Sequence, residues 1–252
     1  MTSSPLLGAA CVPVPGTRVP EQDRETVVSD VIVQAGGRRW RRTLLRTPWL
    51  TATDDLGAAV AAALAQVPDG APRDGDVVAL AEKIVIVTSG RVVDARGLRA
   101  GLLARVLARA VRPVGDSRGL SVPAKMQYVV DEVGAGRIAR AAAAAALTRP
   151  FGRRGTFYRL AGPLARDLDG LRGAYAGELL PPLRSAEADL LGHHLAARLG
   201  RAVAVVDVND RGGSVRSVSA GGPEPEVLLA ALADNPHGDC AQSTPVVLLR
   251  PL

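Results

Sequence analysis

Val203-Ala204-Val205-Val206-Asp207-Val208-Asn209-Asp210-Arg211-Gly212-Gly213 is the run on which the fold turns. Four apolar residues, three of them β-branched, make a short buried strand. Asp207, Asn209 and Asp210 then place oxygen ligands at its C-terminal end, and Gly212-Gly213 lets the backbone reverse. Carboxylates and an amide at the end of a buried strand are costly unless a cation, a backbone nest or a ligand satisfies them.

The neighbouring segments give this strand its partners. Upstream, Pro181-Pro182 precede a helix capped by Ser185 and running to Leu199, which delivers the chain to Val203. Downstream, Ser214 to Ser219 form a return strand, Pro225 to Ala233 a helix, Asp234 to Cys240 a polar loop and Val246 to Arg250 a final strand. Residues 1–25 are proline-rich and aperiodic, an extended lead-in. Thr26 to Gln34 and Arg38 to Thr47 read as a hairpin around Gly36-Gly37, and Asp54-Asp55 start a helix through Ala58 to Val67. Val77 to Val87 is the most strand-like segment, with the charged pair Glu82-Lys83 inside it. Thr88-Ser89-Gly90-Arg91 follow as a turn before Val92 to Asp94. That pair is either an internal ion pair within a hairpin or part of a ligand site.

Leu98 to Val111 repeat apolar residues at helical spacing, and Ser121 caps a helix through Met126 to Val133 with Pro123 near its start. Asp131-Glu132 in its last turn need a positive neighbour, and Arg137 is the nearest in sequence. Arg137 to Leu147 is a nearly all-alanine helix expected to pack closely on both sides. Phe151 to Gly155 form a basic glycine loop, Thr156 to Leu160 a short strand, and Asp169-Gly170 a second acidic turn.

The 252 residues suffice for one large domain or two intimate lobes, and 47% hydrophobic with 22% charged residues is globular. Aromatics are only 3%, so small aliphatic side chains must fill mixed α and β layers. The formal charge of +6 comes almost wholly from scattered arginines, with Lys83 and Lys125 the only lysines. Nucleic-acid binders cluster their charge and interleave it with stacking aromatics, so no nucleic-acid partner is expected. The cluster Arg38-Arg39-Trp40-Arg41-Arg42 reads as one strand with a solvated face. Cys11 and Cys240 make no metal-spaced pair or disulfide framework, which fits a reduced, cytoplasmic compartment. Leu6 to Cys11 lacks the flanks of a lipoprotein cleavage site, and Ala141 to Ala146 is too short to span a bilayer. A soluble protein with no membrane partner is expected.

Several chemistries have no motif here. No P-loop and no glycine-rich dinucleotide turn follows a strand, and no Gly-x-Ser-x-Gly elbow occurs. His193 and His194 are adjacent on a helix and diverge, unlike an i, i+4 metal pair. His237 with Asp239 and Cys240 matches no standard zinc spacing. Oxygen chemistry remains. Asp169, Asp207, Asn209 and Asp210 offer hard ligands, and Arg91, Arg137, Arg153 and Arg154 offer anion contacts. These residue types describe either a magnesium–polyphosphate site or ordinary solvated turns.

Several segments together resemble a known family. Arg46-Thr47, Asp54-Asp55-Leu56, Asp74-Gly75-Asp76-Val77-Val78, Ala81-Glu82-Lys83-Ile84-Val85 and Ser89-Gly90-Arg91-Val92-Val93 are similar to the amino-terminal half of the coenzyme factor 420: L-glutamate ligases. Met126-Gln127, Asp131-Glu132-Val133-Gly134, Phe157-Tyr158, Ala161-Gly162, Asp169-Gly170, Asp207-Val208-Asn209-Asp210 and Asp234-Asn235-Pro236 resemble a divergent, ligase-like branch. The chain departs from the family pattern after Ala161-Gly162-Pro163 and at Val206 to Arg211.

The resemblance implies a mixed α/β fold, mixed sheets with packed helices as in gamma-glutamyl ligases, and a homodimer. It implies a GTP- and divalent-metal-dependent amide ligase, with Mg2+ or Mn2+ and GTP as co-substrate. A small-molecule carboxylate, activated as an acyl phosphate, would be joined to an amino acid, glutamate in the family. By motif position Asp207, Asp210 and Asp169 would hold metal. Glu82, Lys83, Ser89, Gly90, Arg91 and Asn209 would line the nucleotide site, and Asp207, Lys83 and Arg91 would serve catalysis. The alternative is a relative of that fold that binds nucleotide or metal without catalysis.

Overall fold

The computed structural model describes residues 26–113, 118–171, 177–209, 212–238 and 244–252. The lead-in, Asp210, Arg211, Asp239 and both cysteines therefore lie outside the described residues. In chain order the elements begin β1 (Val27–Ala35), β2 (Arg38–Leu45), α1 (Leu56–Ala65), β3 (Val77–Ala81), α2 (Glu82–Thr88), β4 (Val93–Asp94), α3 (Leu102–Ala110), α4 (Pro123–Val133) and α5 (Ala135–Thr148). They continue α6 (Thr156–Ala161), α7 (Pro163–Asp167), β5 (Asp169–Gly170), β6 (Glu178–Leu180), α8 (Ser185–Leu199), β7 (Ala202–Asn209), β8 (Gly212–Val218), α9 (Pro225–Ala231) and β9 (Val246–Pro251). This is a mixed α/β protein. The described residues divide into two compact units, one drawn from residues 26–90 and 183–252, the other from residues 91–182.

The first unit is built on a six-stranded sheet in the order β1-β2-β9-β3-β7-β8. Every neighbouring pair is antiparallel except β3 and β7, which run parallel with Val77 opposite Ala202 and Ala81 opposite Val206. Alternate residues of the central strands face opposite ways. Val77, Ala79, Ala202, Ala204, Val206, Val247 and Leu249 pack with Trp40 and Leu44 against Leu228, Ala231 and Leu232 of α9 and its C-terminal end. On β7 and β8 packs α8, with α1 beside it. That approach is close: a Cβ on Gly192 would stand 2.9 Å from Ser217 Oγ, and the Ser217 hydroxyl donates to the Ala188 carbonyl at 2.9 Å. Helix α1 starts as the sequence predicts, Asp55 capping it by accepting from Ala58 N–H at 3.0 Å.

The basic run on β2 exposes Arg38, Arg39 and Arg41 as expected, but Arg42 turns inward. Its guanidinium donates to the Ala231 carbonyl and forks onto Asp234. A second buried cluster lies before β3. Arg250 forks onto Asp76 at 2.8 Å through both Nε and Nη2, and Arg201 Nη1 lies 3.7 Å from the same carboxylate.

The second unit packs α3 to α7 around Ala104, Leu120, Met126, Val129, Ile138, Ala141, Ala161, Leu168 and Leu179, beside a three-stranded sheet ordered β4-β6-β5. Lys125 is buried there, its ammonium 3.5 Å from the Leu168 carbonyl.

Six local expectations are corrected. Val77 to Val87 is not one strand: β3 ends at Ala81 and α2 begins at Glu82. A continuous apolar run carries no period to separate strand from buried helix, and a glutamate in the first turn complements the helix dipole. Val92 to Asp94 does not return as a hairpin, because β4 pairs with β6. Thr156 to Leu160 is helical, opening after Gly155 in the left-handed conformation. Asp169-Gly170 is a strand residue pair rather than a turn, antiparallel to β6. The alanine-rich α5 buries only Ile138 and Ala141, so it packs on one side. Asp131 takes its hydrogen bond from Gln127, and Arg137 Nε donates to the Leu160 carbonyl.

Candidate functional site

The parallel register of β3 and β7 brings two carboxylates to one place. Ala81 pairs with Val206, so the next residue of each strand, Glu82 and Asp207, emerges at the carboxyl ends of adjacent parallel strands. In open α/β sheets that is where ligands bind. Glu82 is buried, because α2 starts at once and folds back over the strand end. Asp207 remains 44% exposed.

Between them lies Arg216, a residue the sequence reading passed over. Strand β8 is bulged there: Ser217 pairs with Val205 and Val215 with Val206, which leaves Arg216 as the extra residue. A bulge re-aims the side chain of the inserted residue. Arg216 Nε donates to Glu82 Oε2 at 2.9 Å, and Nη2 donates to Asp207 Oδ2 at 3.2 Å. The other Glu82 oxygen accepts from Leu183 N–H at 2.8 Å. Burial pushes the Glu82 carboxyl above its ordinary range. The Leu183 N–H and Arg216 oppose that rise, and the nearby Asp207 charge adds to it. The period of β8 carried a signal of this: Val215 and Val218 are three apart, one residue more than alternation allows.

The other candidates fall in various places. Lys83 is partly buried in the first turn of α2. Ser89 is exposed and closes α2 by donating to the Ile86 carbonyl at 2.9 Å. Gly90 supplies a positive φ of 70° just beyond it. Asn209 is exposed at the end of β7, paired with Gly212. Arg91 is partly buried and opens the second unit. Asp169 belongs to the second unit and accepts from its own neighbour, Gly170 N–H, at 2.8 Å. Asp210 lies outside the described residues.

Among the described residues no group of three or more His, Cys, Asp and Glu side chains is gathered closely enough to hold a metal. The pair at Arg216 nevertheless fits a magnesium-like ion in its chemistry. One or two carboxylates completed by phosphate and water oxygens is how such ions are commonly held, and both carboxylates already converge on one cationic group. A separate recess of about 450 Å³ lies in the first unit, lined by Thr26, Asp30, Arg41, Thr43, Asp69 and Arg250 among others. None of the candidate site residues lines it.

A mixed α/β unit with a charged cluster at the carboxyl ends of a parallel strand pair has the arrangement that open α/β sheets use for ligand sites. The family is then specific: the family model F420-0:Gamma-glutamyl ligase matches residues 44–221, and the chain belongs to that ligase family. Among curated proteins none matches the chain. No helix among the described residues is long and apolar enough to cross a membrane.

Proposed function

We propose that this chain is an amide-forming ligase that uses GTP and a divalent cation, Mg2+ or Mn2+, to join an amino acid to a small-molecule carboxylate through an acyl phosphate. The observation that carries this reading is the convergence of Glu82 and Asp207 on one cationic group at the carboxyl ends of β3 and β7, inside a member of a ligase family. Glu82 and Asp207 would hold the metal, with Asp210 following two residues beyond β7's last apolar position. The bound cation would screen the charge of the phosphates. Lys83, Ser89, Gly90 and Asn209 flank these carboxylates in sequence and suit the nucleotide. Arg91 as a catalytic and nucleotide residue, Asp169 as a metal ligand and the homodimer enter this reading from the family resemblance, and the cytoplasmic location from the unpaired spacing of Cys11 and Cys240.

The substrate oxygen attacks the terminal phosphorus of GTP as GDP leaves. The amine then attacks the acyl carbon, phosphate departs, and the amine gives up a proton. A second reading, a relative that binds nucleotide without catalysis, draws on Arg216, which already neutralises one of the two carboxylate charges. Incubation with GTP, Mg2+, a panel of carboxylic acids and amino acids, read by mass spectrometry, separates the two. An amide product formed together with stoichiometric GDP supports the ligase. GTP binding with neither GDP nor amide across the panel supports the non-catalytic relative.

A further inference from the structure

The position of Arg216 bears on how the site meets its metal. Its guanidinium is 11% exposed and touches the carboxylates of both Glu82 and Asp207. The residue exists at that spot only because β8 carries an extra residue opposite Val205 and Val206. A regular antiparallel strand would pair every residue and direct its side chains alternately, so the bulge itself delivers the charge. Glu82 cannot turn away, since its second oxygen is held by Leu183 N–H. Asp207 is half-open to solvent and remains reachable from outside.

We infer that Arg216 is a built-in counter-ion that competes with the divalent cation for Glu82 and Asp207. This rests on the proposed assignment of those carboxylates as metal ligands. With Arg216 in place the three groups sum to a single negative charge. With the guanidinium displaced, two negative charges face the same point. A hard divalent cation bound between them must take the oxygens the guanidinium uses, so the two cations exclude each other. A phosphate anion arriving at the site offers the guanidinium another bidentate partner and eases that exchange. The guanidinium thus holds the site at one net negative charge and competes for its oxygens until an anionic ligand draws it away.

The test is Mn2+ binding to the nucleotide-free full chain, read from the loss of the free-ion electron paramagnetic resonance signal. Arg216→Gln should bind Mn2+ about tenfold or more tightly than the wild type, because one repelling charge is gone. Arg216→Lys keeps the charge and should stay within about threefold of the wild type. Asp207→Asn serves as the control for the metal assignment. If Arg216→Gln binds no tighter than the wild type while Asp207→Asn abolishes binding, the competition is overturned and the metal assignment stands. If no form binds Mn2+, both fall. A measurement on the wild type alone covers the case in which Arg216→Gln does not fold. The Arg216 Nε–H resonance, identified by its absence from Arg216→Lys, should move when Mg2+ is added to saturation, and an unmoved resonance overturns the competition.

Discussion

Replacing Asp76 by alanine tests whether the buried charge cluster at the start of β3 is an interdependent unit. The Asp76 side chain is fully buried. It accepts two hydrogen bonds from Arg250 at 2.8 Å and one from Arg73 N–H at 3.1 Å, with Arg201 Nη1 at 3.7 Å. Arg250 and Arg201 are 6% and 4% exposed, so Asp76→Ala strands two guanidinium groups away from water beside each other. Burial already holds the Arg201 guanidinium below its ordinary range, with only the Asp76 charge opposing that shift. Breaking a buried ion pair by removing one partner costs about 3–5 kcal/mol. That is a large part of the 5–15 kcal/mol or so that typically holds a domain folded. Arg250 also donates to the Asp69 and Ala71 carbonyls and Arg201 to the Gly70 carbonyl, so the guanidinium groups cannot swing out without releasing the loop before β3. Urea unfolding followed by circular dichroism should show Asp76→Ala losing about 3–5 kcal/mol. Asp76→Asn, which keeps one acceptor oxygen, should lose about 2–3 kcal/mol. Asp76 and Glu82 flank β3 at opposite ends, about 20 Å apart along the strand, so the folded fraction of Asp76→Ala should retain its ligand affinity. A loss below about 1 kcal/mol in Asp76→Ala would refute the interdependence of the cluster.

Two further outcomes follow from single sites. His237 is buried, donates from Nδ1 to the Thr244 carbonyl at 3.2 Å, and is held down to about 4, chiefly by burial. Its folded value lies below the unfolded one of 6.5, so the unfolded chain takes up the proton first. Stability should therefore fall as pH drops from 6.5 towards 4, by on the order of 3 kcal/mol, and an NMR titration of His237 near pH 6.5 would contradict this. Gly170 has a φ of 101°, and a Cβ there would meet the Glu178 carbonyl oxygen at 2.2 Å. Gly170→Ala should destabilise the second unit by more than about 2 kcal/mol in thermal unfolding, and an unchanged midpoint would show that β5 and β6 part freely.

Much of the fold was legible wherever a local signal coincided with a boundary. The Asp55 cap marks α1, Gly36-Gly37 closes the β1–β2 hairpin, and Gly212-Gly213 begins β8. The apolar runs of β7 and β9 read correctly because they are short and bounded by turn residues. Legibility failed where the deciding contact was distant. Within Val77 to Val87 only the fit of Glu82 to a helix's first turn hints that the strand yields there. Its carboxylate is received by Leu183 N–H and Arg216, contacts that no local pattern shows. Thr156 to Leu160 has strand-like residues, yet it packs on α5 as a helix. Within the site, Asp207 and Glu82 were visible as expensive polar groups on apolar runs. Arg216 was not, because its role depends on a register shift that shows only as one extra residue between two valines.

Asp207 and Glu82 are proposed as the metal-dependent part of a nucleotide site. Calorimetry of the wild type and Asp207→Ala with GTP, each with and without Mg2+, tests this assignment most directly. GTP should bind the wild type only with Mg2+ present, and about tenfold or more weakly in Asp207→Ala. Mg2+-independent binding, or Mg2+-dependent binding that Asp207→Ala leaves unchanged, would contradict it.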